Sequence, residues 1–182
     1  MEQIITADGF AADERGGLEF FEVSEGSADS ADDEQLEFLK SVDAILLGAT
    51  TYRMFADFWP TADPVAEPVT EPINRLPKYV LSGSLDAAPW GNEQIEILRP
   101  DAVSAVRTLK GWHEHIVVWG SLTLTDELFA RHLVDRLRLR MVPALLGTGR
   151  RFTPTSLGLA RLHLDHVQVH PSGQVTLDYR VR

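Results

Sequence analysis

The chain has no cysteine, which excludes disulfides, thiolate metal sites, iron–sulfur clusters and cysteine nucleophiles. Long apolar runs are also missing, since nothing approaches the roughly 18 consecutive residues of a membrane span. The opening MEQIITADGF has neither the basic stretch nor the apolar core of a secretory leader, so the expectation is a cytoplasmic protein with no membrane partner. Basic residues are scarce, 17 against 27 acidic ones, and that balance disfavours a nucleic-acid partner. The shortage is uneven. Residues 1–101 hold 21 acidic and 6 basic groups, whereas residues 102–182 hold 6 acidic and 11 basic ones. The second half therefore suits the anionic groups of a small ligand, or an acidic neighbour. No G-x-S-x-G elbow supports a serine hydrolase. The six histidines lack a carboxylate cluster, so they read as scattered surface residues and no metal site is expected.

What is present is 182 residues, 44% of them hydrophobic, enough for one globular domain spanning the chain with an ample core. Apolar segments at Ala44–Leu47, Tyr79–Leu81, Ile95–Leu98, Ile116–Trp119 and Leu137–Leu146 read as strands, several of them covered on both faces. Helices are expected over Ser30–Ser41, Thr50–Phe58, Asp101–Trp112 and Thr123–Leu133, with Asp101 as an N-cap and Gly111 as a terminator. Alternation of the two argues an α/β fold. The last segment differs: Val175, Leu177, Tyr179 and Val181 alternate strictly across Pro171, Ser172 and Gly173 from an earlier run. That pattern predicts an antiparallel hairpin, with a bulge near Asp165–His166 where the apolar phase switches. Pro60–Pro77, with five prolines, reads as a long surface loop, and Arg136, Arg138 and Arg140 read as a solvated sheet edge or a dimer contact.

One pattern occurs twice. In DAILLGATTYRMF and HIVVWGSLTLTDELF an apolar run ends in a glycine, Gly48 or Gly120, followed at once by hydroxyl residues and a helix-like segment. Glycine lets the backbone approach a ligand, and the first helical N–H groups point outward without partners, so each turn is a candidate phosphate seat. Two seats match a dinucleotide better than a mononucleotide. In the second, Thr123 and Asp126 have capping-box spacing. Each turn also reads as a plain strand–helix junction with hydroxyl caps at Thr50, Thr51 or Ser121.

TADGF (6–10), DAILLGATTY (43–52), LPKYVLSGSL (76–85), VVWGSLTL (117–124) and VDRLRLRMVPALLGTGRRF (134–152) occur in an order that resembles the dihydrofolate-reductase-like superfamily. The branch most similar is the C-terminal reductase domain of the bifunctional riboflavin-synthesis protein. The resemblance implies a three-layer α/β fold: a central, mostly parallel sheet of about eight strands with a C-terminal antiparallel hairpin and helices on both faces. It implies an NADPH-dependent reductase of a small heterocyclic substrate, pterin- or pyrimidine-like, acting as a homodimer. By the same resemblance Gly48, Thr50 and Thr51 hold phosphates of the adenosine half and Leu81 and Ser82 lie against the adenosine. Trp119, Gly120, Ser121 and Leu122 line the pyrophosphate, and Ala7 lies beside the nicotinamide with Asp8 on the substrate side.

The chain departs from this family in three places. Ala49 and Gly83 stand where arginines often grip the 2′-phosphate, so NADH is possible beside NADPH, with Arg53, Lys78, Arg150 and Arg151 as substitute cations. Trp119 replaces a frequent glycine and reads best as a core residue. The loop FWPTADPVAEPV lacks the acidic pair and proline that help the riboflavin-pathway reductase bind a ribose phosphate; only Asp63–Pro64 is remotely comparable. Phe10, Phe58 and Trp59 instead suit a flat or apolar substrate, or a hydrophobic cluster that anchors the loop. For the proton that follows hydride transfer the candidates are Asp8 and the acidic run with Asp29, Asp32 and Asp33; a helix N-terminus also favours that run for dipole reasons alone. A domain of the same fold that binds nucleotide or flavin without turnover is the alternative.

Overall fold

The computed structural model describes residues 1–24, 30–99 and 101–182. In chain order the strands are β1 (Glu2–Thr6), β2 (Phe10–Ala12), β3 (Ala44–Gly48), β4 (Lys78–Leu81), β5 (Pro89–Trp90) and β6 (Glu93–Gln94). They continue with β7 (Glu96–Leu98), β8 (Ile116–Val118), β9 (Arg136–Val142), β10 (Arg150–Arg151), β11 (Leu162–Val169) and β12 (Val175–Val181). The α-helices are α1 (Ser30–Lys40), α2 (Ala49–Phe58), α3 (Thr70–Arg75), α4 (Ala102–Lys110) and α5 (Leu122–Ala130). Contacts within the chain gather into two compact units, one of residues 1–31 and 125–182, the other of residues 32–124.

The 32–124 unit carries a four-stranded sheet in the order β7-β4-β3-β8, parallel throughout. Its central strand explains itself. Ala44, Ile45, Leu46 and Leu47 are all fully buried, as an unbroken apolar run demands when both faces are covered. Burial of Ile45, Leu46 and Leu47 contributes about 1.5–3 kcal/mol each. Around Ile45, Leu47 and Val80 pack Tyr52, Ile73, Trp90, Val117 and Trp119, so Trp119 belongs to the core. Asp101 caps α4 by accepting from Ser104 N at 3.1 Å, and Gly111 ends that helix. The proline-rich stretch is more ordered than a surface loop. It holds a short 3-10 turn at Trp59–Thr61 and α3, which buries Thr70 and Ile73. Proline is tolerated there because the helices are short and the prolines fall near their starts.

The other unit carries the sheet β1-β9-β12-β11, in which β1 pairs parallel with β9 and the remaining pairs are antiparallel. The hairpin β11–β12 has its register shift between Leu164 and His166, where the apolar phase changes. β9 ends at Val142, before Pro143, rather than at Leu146. It is also an interior strand, which corrects the reading of a sheet edge: Arg136 is exposed and Arg140 half-buried, but Arg138 is buried and lies 3.1 Å from Glu2 and 2.7 Å from Asp178. A charge so deep is tolerated because both carboxylates meet it. The histidines are not uniformly superficial either, since His170 is buried with Nε2 3.1 Å from Thr176 Oγ1. α5 begins at Leu122, so Thr123 lies inside the helix and is not its cap. Its neighbour Asp126 pairs instead with Arg150.

Candidate active site

In the 32–124 unit β3 is laid down first, β4 and β7 extend the sheet on one side, and β8 returns to the other side of β3. Strand order therefore reverses between β3 and β8. In open α/β sheets the crevice beyond the carboxyl ends of two such strands is where ligands bind. The two repeated glycine turns are the segments that leave these strands, into α2 and α5.

The turns are pinned to each other. Gly48 N donates to Ser121 Oγ at 2.8 Å, and Ser121 Oγ donates to Trp119 O at 2.8 Å. Ser121 N donates to Thr51 Oγ1 at 2.8 Å. Gly120 and Ser121 both take positive φ, 50° and 52°, which glycine accepts and serine endures only when held. A Cβ on Gly120 would sit 3.1 Å from Thr51 Oγ1, and one on Gly48 would sit 3.3 Å from Ser121 Cβ. A side chain at either position would crowd the facing turn, and at Gly120 the positive φ favours glycine as well. Thr51 and Ser121 are buried and brace one turn against the other. What stays open is the start of α2, which has no side-chain cap, with Ala49 at its first position and an exposed Thr50. A phosphate fits that terminus. Leu122 opens α5 in half-buried surroundings.

At the end of β4, Leu81 is half-buried and Ser82 is buried. The Ser82 hydroxyl accepts from Ser84 N and Leu85 N, each at 3.2 Å, so it serves its own turn. Lys78 is not a substitute cation for a 2′-phosphate. Its ammonium is buried, donates to the carbonyls of Ile73, Asn74 and Leu76 at 2.6–2.9 Å, and lies 4.9 Å from the Trp90 ring. Burial pushes its pKa down to about 8. Arg53, exposed on α2, remains; with Tyr52, Asp57, Thr61 and Gly91 it lines a shallow depression of about 390 Å³.

Two of the three aromatic candidates lie together. Phe58 is 48% exposed at the end of α2, and the Trp59 ring stands edge-on to it at 4.9 Å and to Phe55 at 6.0 Å. Asn74, which no sequence signal singled out, donates to Trp59 O at 2.9 Å and accepts from Trp90 Nε1 at 2.8 Å, fixing this corner. Phe10 belongs to the other unit and is closed off. It is buried, with the Arg151 guanidinium 4.6 Å above its ring.

TADGF forms a tight turn in that other unit. Gly9 N donates to Thr6 O at 2.9 Å, and Gly9 has φ 85°. Ala7 is exposed, its N–H bonded to Ala144 O at 2.8 Å. The Asp8 carboxylate accepts from Thr6 Oγ1 at 2.6 Å, Gly147 N at 2.8 Å and Leu146 N at 3.2 Å. Donation from Thr6 first, then from the Gly147 amide, pulls its pKa down to about 2. A carboxylate so held accepts hydrogen bonds at neutral pH. It anchors the 146–147 turn. Of the acidic run, Asp29 and the Asp32 side chain lie outside the described residues, and Asp33 is exposed on α1.

A family model described as the RibD C-terminal domain matches residues 1–177. The uncharacterized protein YwjB of Bacillus subtilis is 23% identical over 149 residues, 80% of this chain and 76% of that protein. A protein from Shewanella sp. PV-4, described as a riboflavin biosynthesis candidate, superposes with a TM-score of 0.80 at 18% identity, covering 100% of this chain and 97% of that one. Dihydrofolate reductase from Enterococcus faecalis, solved with NADP(H), superposes with a TM-score of 0.58 at 13% identity, over 100% of this chain and 94% of that one. These likenesses establish a dihydrofolate-reductase-like α/β fold.

Proposed function

The chain belongs to the RibD C-terminal domain family, and on that footing we propose that it is an NAD(P)H-dependent reductase transferring hydride to a small pterin- or pyrimidine-like heterocycle. The observation that carries this reading is the pair of pinned glycine turns at the point where strand order reverses in the 32–124 unit. Such a junction offers the α2 N-terminus to phosphate and keeps its own backbone donors satisfied by neutral hydroxyls. The dihydrofolate reductase with the same fold was solved with NADP(H), which supports a nicotinamide dinucleotide here. When bound, that cofactor supplies the hydride. The chain's own contribution is to seat the phosphates at Ala49 and Thr50 and to hold the junction rigid through Thr51 and Ser121. Asp8 acts by positioning the 146–147 turn, and the proton for the reduced ring comes from water. With Ala49 and Gly83 at the usual arginine positions, the 2′-phosphate meets at most Arg53, so NADPH and NADH bind with similar affinity. The working form is a homodimer.

The test is a titration with NADPH, NADH and FMN, followed by quenching of the four tryptophans, and then NADPH oxidation with dihydrofolate, pyrimidine and quinone acceptors. Saturable quenching by both nicotinamide dinucleotides, with oxidation by at least one acceptor, is expected. Binding without oxidation would make the protein a silent nucleotide- or flavin-binding domain. No dinucleotide binding would overturn the reading.

A further inference from the structure

The hairpin β11–β12 departs from the usual pattern of an antiparallel sheet, apolar face inward and polar face outward. Leu162, Leu164, Val167 and Val169 of β11 are 43%, 47%, 49% and 66% exposed. They pair in that order with Val181, Tyr179, Leu177 and Val175 of β12, all half-buried, so the eight share one face. On the opposite face Thr176 is fully buried. Strict alternation after Leu164 would carry Val167 and Val169 to that polar side. The register shift between Leu164 and His166 makes Asp165 the extra residue and returns both valines to the side of Leu162 and Leu164. Arg180 holds the insertion, its Nε 2.9 and 2.8 Å from the two carboxylate oxygens of Asp165. The bulge thus keeps an exposed face uniformly apolar, as a face that becomes covered requires.

Size and charge narrow what covers it. Four residues at these exposures and four half-buried neighbours leave on the order of 500 Å² open, a size that marks an interaction site. That is more than half of the roughly 800 Å² each partner gives to a stable interface. None of the eight carries a charge, so the face selects no oppositely charged partner. The charges gather beyond one end, where Val181 N bonds to Asp135 O and Arg182 N to Arg161 O, each at 3.0 Å, with the exposed Arg136 next in the chain to Asp135. This cluster of three arginines and one aspartate is net positive, whereas the turn at the other end, Pro171, Ser172 and Gly173, carries no charge. A two-fold axis through the middle of the face lays each arginine end over the partner's neutral turn. A parallel copy would set arginine on arginine.

We infer that a second copy of this chain packs on the β11–β12 face, sheet face on sheet face about a two-fold axis. The inference gives the homodimer of the reductase reading its surface. It is separable from cofactor binding, because the dinucleotide seat at the start of α2 belongs to the 32–124 unit and the hairpin to the other.

Sedimentation equilibrium tests it. The wild type should be a dimer at micromolar concentration, and added salt should not dissociate it. Leu164→Lys combined with Val167→Lys, both at exposed positions, should weaken association by at least about a hundredfold while circular dichroism and NADP⁺ affinity stay as in the wild type. A second measurement uses the absence of native cysteine. Facing sheets stand roughly 10 Å apart, so a short bismaleimide should join Val167→Cys into a covalent dimer and leave His166→Cys, exposed on the opposite face, as single chains. A monomeric wild type, including one whose face is covered by a different protein, would overturn the inference. So would a dimer that the lysine pair leaves intact, or equal cross-linking of the two thiols. Failure of the wild type to bind NADP⁺ would instead defeat the reductase reading, with the dimer still decided by sedimentation.

Discussion

The paired glycine turns and the TADGF turn of this molecule use backbone N–H groups in opposite ways. At the β3–α2 and β8–α5 turns the amides of Gly48 and Ser121 are satisfied by neutral hydroxyls, and the α2 terminus is left uncapped. At the TADGF turn the amides of Leu146 and Gly147 are satisfied by the Asp8 carboxylate. A neutral acceptor leaves the local field positive and open to an anion, whereas a carboxylate has already cancelled it. On the proposed reading the first arrangement receives phosphate and the second does not.

The largest expected effect comes from breaking the open arrangement. Gly120→Val places a branched side chain at φ 50° against Thr51. It should weaken dinucleotide binding by more than about tenfold, or ~1.4 kcal/mol, in a protein whose circular dichroism shows it folded; unchanged affinity would remove the junction from the binding site. Thr51→Val, which keeps the shape and deletes the acceptor for Ser121 N, should cost stability of about 1–3 kcal/mol in urea melts and a smaller loss of affinity.

The closed arrangement is next. The Asp8 pKa is depressed in the folded protein, from 3.8 to about 2. Its contribution to stability is thus complete above the unfolded value near 3.8 and is lost as pH falls through about 2. Acid melts of the wild type should weaken across that window, and Asp8→Asn should lack this component. Turnover of Asp8→Asn should fall only several-fold, because the carboxylate positions a turn and donates no proton. A collapse of turnover that follows the loss of a titrating acid would show that the two turns share the chemistry.

Much of the open site was legible because its signal is local. A glycine at a strand end, a hydroxyl one to three residues later and a helical period all lie within a few positions, and Gly48 and Gly120 sit in the two turns that bond to each other. Partners distant in sequence stayed hidden. That Ser121 spends its hydroxyl on Gly48, or that Thr51 receives Ser121 N, depends on β8 returning beside β3, which no local pattern specifies. Arg138 failed for a related reason: alternation told which residues share a face of β9, but only the position of β9 inside its sheet shows that Arg138 is buried. Asn74 offered no pattern, since its value lies in bridging Trp59 and Trp90. The hairpin bulge was readable because a phase slip in alternation is itself a local event.

The smallest effect sharpens the comparison from the ligand's side. Arg53→Glu, on the exposed face of α2, should lower NADPH affinity relative to NADH by no more than a few-fold, the size expected of an exposed charge. A hundredfold change in the NADPH to NADH ratio would mean that Arg53 grips the 2′-phosphate.

The central claim is that the α2 terminus is open to phosphate while the TADGF turn is closed. Backbone amide shifts followed by NMR during titration with NADP⁺ test it most directly. The account predicts large, saturable shifts at Ala49 and Thr50, whereas the Gly147 amide keeps its bond to Asp8 and moves little. Stationary Ala49 and Thr50 amides at saturating NADP⁺ would contradict it.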